Sequence, residues 1–415
     1  MTPRILTKSD IIVLAGSGVA VVLAGITRYT SVPAVVAFLA AGVAVALLAS
    51  VVGRSVEQLG DRFGPGATGV LQSALGNLPE LFIGFFALKA GLVAVVQAAI
   101  IGSILSNILL VLGLSFVVGG LKHGVQRFDS DRARTSTVLM VLATGALVLP
   151  SLASYVHAPA AAHEGTLSLI VSVVLLGVFI LSLPSALKRS PEPILDRSKI
   201  ITTRPAGRPA PGATRPASKA ARSSAKASVK ASATGSDGGS AGPTDTTPAA
   251  AGAQSGVHAE APRWPLWLAL TLLAAASLAA ALVSDWFVVA LEPAIDALGI
   301  SQAFAGLVIV AIAGNAIENV VGIQLAYRNQ ADFAMSVIIQ SPLQVALVLA
   351  PALVLLSLFT ATTLTLVFAP MLVVAVAVTV IAVAFVVFDG ESTWLEGATL
   401  IALYAIIATA FWWGG

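Results

Sequence analysis

The sequence predicts an all-α integral membrane protein with about eleven transmembrane helices, and three observations support this prediction. Of the 415 residues, 57% are apolar and 10% are charged, whereas a soluble domain is about 45–50% apolar and about 25% charged. The apolar residues gather in eleven runs, and about 20 apolar residues span a bilayer. Two stretches of the chain also repeat one polar pattern. The composition excludes a soluble enzyme, a disordered protein and a nucleic-acid-binding domain as descriptions of the whole chain.

The eleven runs fall on both sides of a polar segment. Six of them precede it, at about 11–28, 32–51, 67–88, 92–119, 135–156 and 164–187. Five follow it, at about 264–284, 302–327, 331–358, 361–388 and 394–413. We therefore divide the chain into four parts. These are an N-terminal segment with the first helix (1–30), a first repeat half (31–187), a linker (188–263) and a second repeat half (264–415).

The linker is basic and lacks hydrophobic periodicity. It holds 12 of the 23 Lys and Arg residues, between Lys188 and Arg263, in a background of Ala, Ser, Thr, Pro and Gly. This composition predicts a disordered segment. The linker contains no Phe, Tyr or Trp that could stack on bases, so we expect no nucleic-acid partner. We favour the interpretation that the linker is a tether that faces anionic membrane lipids.

The charges of the loops predict the orientation. With the N-terminus in the cytoplasm, the loops on that side carry Arg54, Arg62, Lys122, Arg127, Arg132, Arg134 and Arg328, together with the linker. The other side carries only Arg28 and Lys89, and its predicted loop at 284–301 is acidic. Cytoplasmic loops are enriched in Lys and Arg. The Ala-, Val- and Gly-rich usage is typical of a prokaryote, so we expect a bacterial inner membrane with the N-terminus and the linker inside.

An internal repeat lies at the centre of each half. Residues 76–84 read GNLPELFIG and residues 314–322 read GNAIENVVG. A constant offset of 238 aligns two glycines, an asparagine and a glutamate, and it also pairs Ser103 with Ser341 and Ser106 with Gln344. An odd number of predicted helices separates the blocks, so the second copy enters the membrane from the opposite side. Inverted repeats of this kind are typical of secondary transporters, whose substrate site lies near the midplane.

The repeated blocks also hold the buried polar residues. Of the 20 acidic residues, only Glu80 and Glu318 fall in the middle of a hydrophobic run. Four of the five asparagines lie in the same blocks: Asn77, Asn107, Asn315 and Asn319. Such groups are costly in hydrocarbon unless they face a partner or a cavity, and they are functional candidates by default. The pattern therefore predicts a polar site built from both halves.

Two buried carboxylates favour the exchange of cations. Glu, Asn and Ser provide the oxygen atoms that hard cations such as Ca²⁺ take as ligands. One divalent cation or two protons neutralise two ionised carboxylates, and an empty doubly negative site is expensive to enclose. The loaded forms should therefore switch between inward- and outward-facing states more readily than the empty form. Metal ions and protons should compete for the same carboxylate oxygens.

At these residues the chain resembles a known family. The two blocks are similar to the alpha repeats of the CAX-type Ca²⁺/H⁺ antiporters, in the Ca²⁺/cation antiporter superfamily. This resemblance implies a lone first helix, two inverted five-helix repeats and the transported ions Ca²⁺ and H⁺, with no cofactor. It implies alternate binding of Ca²⁺ and protons at Glu80 and Glu318. The remaining members of the predicted metal site are Asn77, Asn315, Ser103, Ser341, Asn107 and Gln344.

The chain departs from this family at three places. Asn319 stands where a His usually follows the second glutamate, Gln340 stands where Gly is usual, and the LPEL run at 78–81 looks more like the Na⁺/Ca²⁺ exchanger branch. A Na⁺-coupled cation/Ca²⁺ exchanger or a monovalent cation/proton antiporter is therefore the alternative. A membrane-embedded hydrolase is disfavoured because no H-E-x-x-H motif occurs. We expect a transporter and not an enzyme.

Overall fold

The computed structural model describes residues 5–63, 71–72, 75–188 and 263–414. The predicted linker at 188–263 lies outside these ranges except for its terminal residues. The part of the chain that is described folds almost entirely into helices, and two short strands form the only sheet seen in it.

The first half consists of seven helices and one strand. The helices are α1 (Lys8–Tyr29), α2 (Ala34–Phe63), α3 (Leu78–Lys89), α4 (Val93–Leu105), α5 (Leu112–His123), α6 (Ser130–Tyr155) and α7 (Glu164–Lys188). A π-helical turn (Ser106–Val111) joins α4 to α5, β1 is Gln126–Arg127, and a 3₁₀ turn (Pro159–His163) precedes α7.

The second half contains the remaining helices and the partner strand. The helices are α8 (Leu266–Leu298), α9 (Gln302–Phe304), α10 (Ala311–Gly314), α11 (Ala316–Tyr327), α12 (Ala331–Gln344), α13 (Ala350–Ser357), α14 (Pro370–Val386) and α15 (Trp394–Trp412). π-Helical turns at Ala305–Val310 and Val345–Leu349 join α9 to α10 and α12 to α13. Strand β2 (Glu391–Ser392) pairs antiparallel with β1.

Each of the eleven predicted runs overlaps a helix in the described ranges. Within the described ranges, eight helices are long and apolar enough to cross a membrane, and the pair Gln302–Gly314 and Glu318–Tyr327 forms a ninth span bent by 64°. The other two runs coincide with α3, whose approach is only partly described, and with the 17-residue helix α14. The prediction of an all-α integral membrane protein is confirmed.

The central spans differ from the outer ones in burial. The continuous spans α4–α5 and α12–α13 are each 83% buried within the protein, whereas α1 is 22% buried. Apolar residues such as Ile101, Ile104, Leu105 and Ile108 are fully buried on the first central span. The spans that follow each repeated block therefore form the core, and the other helices shield them from lipid.

Two predicted boundaries are wrong. The acidic loop predicted at 284–301 is helical as far as Leu298, so Asp285, Glu292 and Asp296 lie on α8. A helix of 33 residues is about 50 Å long at 1.5 Å per residue. Since the hydrocarbon core is about 30 Å thick, the acidic end of this helix extends past it.

The run predicted at 361–388 becomes helical only at Pro370, because side chains from other helices replace helical hydrogen bonds over the preceding residues. The Gln97 amide donates to the carbonyls of Thr365 (3.0 Å) and Val367 (2.9 Å). Ser151 Oγ accepts from Phe368 N (2.9 Å) and donates to the Leu366 carbonyl (3.0 Å). Irregular backbone at membrane depth is tolerated only where protein groups satisfy it in this way.

Side-chain contacts show which loops lie on the same face of the helix bundle. On the face that holds the N-terminal end of α1, Arg54 pairs with Asp10 (2.7 Å) and Lys122 donates to the Tyr327 carbonyl (3.1 Å). On the opposite face, Thr362 donates to the Leu88 carbonyl (2.7 Å) and Ser301 to the Phe411 carbonyl (2.5 Å). Helix α3 thus ends at the opposite face and α11 ends at the N-terminal face, which is the predicted inversion.

Two elements of the first half have counterparts in the second half at the offset of the sequence repeat. Leu78–Lys89 and Ala316–Tyr327 have the same length and correspond at the offset of 238. The π-helical turns at Ser106–Val111 and Val345–Leu349 overlap at the same offset. The internal repeat read from the sequence is therefore a repeat of three-dimensional structure.

We expect Ser151→Ala to lower the free energy of unfolding by about 1–3 kcal/mol, because it leaves one buried N–H and one buried carbonyl without a partner. Thermal unfolding in detergent measures the loss. The control is Thr409→Ala, since the exposed Thr409 hydroxyl bonds only to Ala405 of its own helix. Equal melting curves for the two variants would contradict this account of the non-helical segment.

Candidate cation site

Each repeated block contains a break in a membrane helix. Asn77 and Asn315 precede α3 and α11 with nearly the same backbone dihedrals, φ −93°, ψ 15° and φ −88°, ψ 12°. Neither side chain caps its helix. Glu80 and Glu318 are the third residues of α3 and α11, so each carboxylate lies at a helix N-terminus, where the dipole favours negative charge.

Glu80 packs against the backbone of the other half. A Cβ atom on Gly314 would lie 2.5 Å from Glu80 Cγ and 2.8 Å from its Oε1. Only glycine therefore leaves room for the carboxylate at this point. Since Gly314 lies four residues before Glu318, the contact brings Glu80 to the start of the second half-helix.

A network of amide and hydroxyl groups holds the two breaks together. Asn107 Nδ2 donates to Asn315 Oδ1 and Ser341 Oγ, both at 3.0 Å. Asn315 Nδ2 donates to Ser103 Oγ (3.1 Å), and Ser103 Oγ donates to Glu80 Oε1 (3.3 Å). All of these bonds except the last cross from one half of the chain to the other.

Glu318 joins the same network through Ser341. The Ser341 hydroxyl is hydrogen-bonded to the Glu318 carboxylate and also lies 3.3 Å from Asn315 Oδ1. Glu80 and Glu318 are thus connected to one network through Ser103, Asn315 and Ser341. The structure thus brings together six of the eight predicted site residues: Glu80, Ser103, Asn107, Asn315, Glu318 and Ser341.

The other two predicted residues are buried beside this network. Asn77 lies at the first break, and its Nδ2 has no hydrogen-bond partner among the described residues. Gln344 is buried at the end of α12, where the π-helical turn begins. The structure therefore buries both predicted residues, Asn77 at the first break and Gln344 at the end of α12.

Several oxygen atoms of the site have no hydrogen-bond donor within the described ranges. They are Glu80 Oε2, Glu318 Oε2, Asn107 Oδ1 and Asn319 Oδ1. Buried carboxylate and amide oxygens of this kind are the ligands that hard cations take. In the same ranges, no group of three or more His, Asp or Glu side chains is placed to hold a metal ion. The acidic charge of the site thus comes from one pair of glutamates.

A small cavity, with room for about one water molecule, lies beside the site. It begins at Glu80 and Ser103 and extends along α3 and α4 towards Ala87 and Val95, near the opposite face. Apart from Glu80 and Ser103, its lining is apolar. Glu80, rather than Glu318, is therefore the carboxylate that this cavity reaches.

Sequence reasoning missed two features of the site. It did not find the cavity, which is lined by Gly84 and Leu353. A Cβ atom on Gly84 would lie 2.7 Å from Leu353 Cδ2, so Leu353 occupies the space that a side chain would need. It also did not find that Gly314 receives Glu80, although the glycine was part of the repeat. The repeated glycines were the signal that could have indicated this contact, because glycine allows another group to approach the backbone closely.

Comparisons with known proteins identify the class of protein. The family model described as "Sodium/calcium exchanger protein" matches residues 33–187 and 268–413. The chain therefore belongs to this family. Both repeated blocks and both glutamates fall within the matched residues.

The curated relatives agree with the resemblance seen in the sequence. The chain is 32% identical to a Ca²⁺/H⁺ antiporter of Aphanothece halophytica, covering 90% of this chain and 89% of the relative. It is also 32% identical to the Ca²⁺/H⁺ antiporter ChaA of Bacillus subtilis (strain 168), covering 91% and 92%. The predicted family is confirmed.

Solved structures support the fold. The structure of native YfkE is 30% identical, with a TM-score of 0.69, covering 97% of this chain and 98% of that chain. The H⁺/Ca²⁺ exchanger CAX is 17% identical with a TM-score of 0.66, covering 98% and 92%, and it shares the fold.

We expect Gly314→Ala to displace the Glu80 carboxylate and to weaken cation binding. Overpacking of this kind costs about 1–3 kcal/mol, which corresponds to a loss of about 5- to 150-fold in affinity. Cation-dependent thermal protection of the purified protein, compared across Ca²⁺, Mg²⁺, Mn²⁺, Na⁺ and K⁺, measures the change. The matched control is Gly145→Ala, where a Cβ meets nothing within 4 Å. Unchanged protection in Gly314→Ala would show that the Glu80 position does not govern binding.

Proposed function

We propose that this protein is a secondary active transporter that exchanges Ca²⁺ for protons by alternating access. The observation that carries the proposal is the meeting of Glu80 and Glu318, from two inverted half-helices, in one buried hydrogen-bonded cluster. The curated relatives named Ca²⁺/H⁺ antiporter, similar over about nine-tenths of the chain, support the choice of ions.

The charge balance of the site supports exchange rather than one-way transport. Two ionised carboxylates carry two negative charges, and burying them without a counter-charge is expensive. One Ca²⁺ or two protons neutralise this charge equally. The loaded forms therefore switch between the inward-facing and the outward-facing state, whereas the empty form does not switch readily.

We assign the cation to the free carboxylate oxygens, with polar neighbours at hand. Glu80 and Glu318 each retain one carboxylate oxygen with no hydrogen-bond donor among the described residues. The hydroxyl groups of Ser103 and Ser341 bond to these carboxylates. The proposed metal site comprises Glu80, Glu318, Asn77, Asn315, Ser103, Ser341, Asn107 and Gln344, and Asn319 adds an amide oxygen beside the second glutamate.

The orientation and the division into halves belong to the same proposal. We place the N-terminal face, with Arg54, Lys122 and Arg328, in the cytoplasm of a bacterial cell, because Lys and Arg are enriched on that side. The linker at 188–263 then connects the two halves on the cytoplasmic side.

We expect Glu80→Gln and Glu318→Gln each to abolish uptake of Ca²⁺ by inside-out vesicles under an imposed pH gradient, because each removes one charge that the cation neutralises. Glu292→Gln, at an exposed carboxylate on α8, is the control and should retain wild-type uptake. Full activity in either site variant would contradict the site. If a Na⁺ gradient drives uptake in the wild type while a pH gradient does not, the protein is instead a Na⁺-coupled exchanger.

We also expect the apparent KM for Ca²⁺ to rise as the pH on the Ca²⁺ side falls, because protons and Ca²⁺ compete for the same carboxylate oxygens. Initial rates in vesicles clamped at a series of pH values measure this. At saturating Ca²⁺ the maximal rate on that side should change much less. A KM that is independent of pH would exclude competition at a shared site.

A further inference from the structure

The half-helix that carries Glu318 is held at its far end by the other half of the chain. Lys122 Nζ donates to the Tyr327 carbonyl (3.1 Å) and lies 3.3 Å from the centre of the Tyr327 ring, a cation–π contact. His123 Nε2 lies 2.9 Å from the same carbonyl, which has two lone pairs. Positive charge at the C-terminal end of a helix also interacts favourably with the helix dipole. The last turn of α11 is therefore fixed to the end of α5.

Gln126 adds a buried hold on the same helix end. It is 3% exposed, and its Nε2 donates to the Ala326 carbonyl and to Asn329 Oδ1, both at 3.1 Å. An amide nitrogen has two N–H groups, so these two acceptors use both of them. Asn329 has φ +60° in the turn between α11 and α12, so one side chain fixes both the helix end and the turn. We call Lys122, His123 and Gln126 the latch.

The repeat shows that both halves hold the far end of a half-helix in this way. At the offset of 238, the Ala326 carbonyl corresponds to the Leu88 carbonyl near the end of α3, which accepts from Thr362 (2.7 Å). Thr362 follows α13 as Gln126 follows α5, and α13 corresponds to α5 at the same offset. Each half-helix with a site glutamate is thus tied, at the same carbonyl, by a loop of the other half.

Between the latch and Glu318, α11 packs along α5. Gly322 lies one turn beyond Glu318 and on the same face of α11. A Cβ atom on Gly322 would lie 3.5 Å from Cγ1 of Val111, the residue before α5. We call this contact between α5 and α11, from Gly322 to Tyr327, the seam. Its inner end lies at the second glutamate, and its outer end is the latch on the N-terminal face.

Ser115 lies inside the seam. It follows Val111 by four residues and precedes Lys122 by seven, so the three residues share one face of the helix. Both flanking residues contact α11, so Ser115 faces α11 between them. It is 1% exposed, and its Oγ has no hydrogen-bond partner among the described residues. A buried hydroxyl without a partner is costly, and water that enters an open seam would remove this cost.

We propose that the seam is the route from the N-terminal face to Glu318 and that the latch keeps it closed in this structure. The inference rests on the proposed function, because it assigns a gate to the exchange site. Opening separates the ends of α5 and α11, so the hydrogen bonds of the latch must break. Gln126 is a positioning residue that sets how often this happens, and Ser115 is hydrated when the seam is open.

Thiol labelling tests this inference in the full-length protein, which contains no cysteine. Ser115→Cys places a single thiol of nearly the same size in the seam. We expect a charged, membrane-impermeant maleimide to label it slowly from the N-terminal face, because labelling follows the open population. Adding Gln126→Leu should raise this rate about tenfold, the size expected for the loss of two hydrogen bonds. The same reagent on the opposite face should label neither protein.

Three further variants serve as controls. Ser172→Cys places a thiol at a fully buried serine of α7, and Gln126→Leu should not change its labelling. Arg127→Gln removes an exposed ion pair beside the latch and should leave the labelling of Ser115→Cys unchanged. Lys122→Met keeps the apolar stem but loses the ammonium group, so it should accelerate labelling about threefold. This variant carries the test if Gln126→Leu does not fold.

The outcomes separate this inference from the proposed function. Equal labelling of Ser115→Cys with and without Gln126→Leu, or equal acceleration at Ser172→Cys, would overturn the latch. Labelling from the opposite face, or no labelling in any variant, would overturn the seam as the route. These results would leave the exchange site standing if uptake of Ca²⁺ is still lost on Glu80→Gln. Absence of proton-driven Ca²⁺ exchange in the wild type would instead contradict the proposed function.

Discussion

The structure depends on the burial of two carboxylates in one hydrogen-bonded cluster inside a membrane protein. Charges of the same sign repel strongly in a low-dielectric interior, and the loss of hydration adds to the cost. Such a pair persists only where the fold fixes it and where a cation or protons neutralise it. The helix N-termini, the serine hydroxyls and the asparagine amides around Glu80 and Glu318 provide the fixed part of that stabilisation. The transported ions provide the rest.

Inversion of the two halves explains how the pair is assembled. Each half contributes one broken helix, and the breaks meet because the halves enter the membrane from opposite faces. The contact is close only because Gly314 has no side chain where Glu80 crosses the other backbone. The central spans that carry Ser103 and Ser341 are the most deeply buried in the protein, so they hold the hydroxyl groups in place while the outer helices face lipid.

Much of this arrangement could be predicted from the sequence, because hydrophobic runs and an internal repeat are local signals. They gave the all-helical class, the inversion and the glutamate pair. The non-helical segment before Pro370 could not be predicted, since its residues are apolar and its hydrogen bonds come from distant side chains such as Gln97 and Ser151. The extension of α8 to Leu298 was also missed, because acidic residues that end a membrane span do not necessarily end a helix. The direction of the hydrogen bonds at Asn107 required coordinates.

The central claim is that Ca²⁺ and protons neutralise the same two carboxylates in turn. Calorimetric titration of the purified protein with Ca²⁺, in buffers of different ionisation enthalpy, counts the protons released on binding and tests this most directly. The account predicts that Ca²⁺ binding releases protons from the wild type and that this release disappears when both glutamates are replaced by glutamine. Binding of Ca²⁺ without proton release, or equal release from the doubly substituted protein, would contradict it.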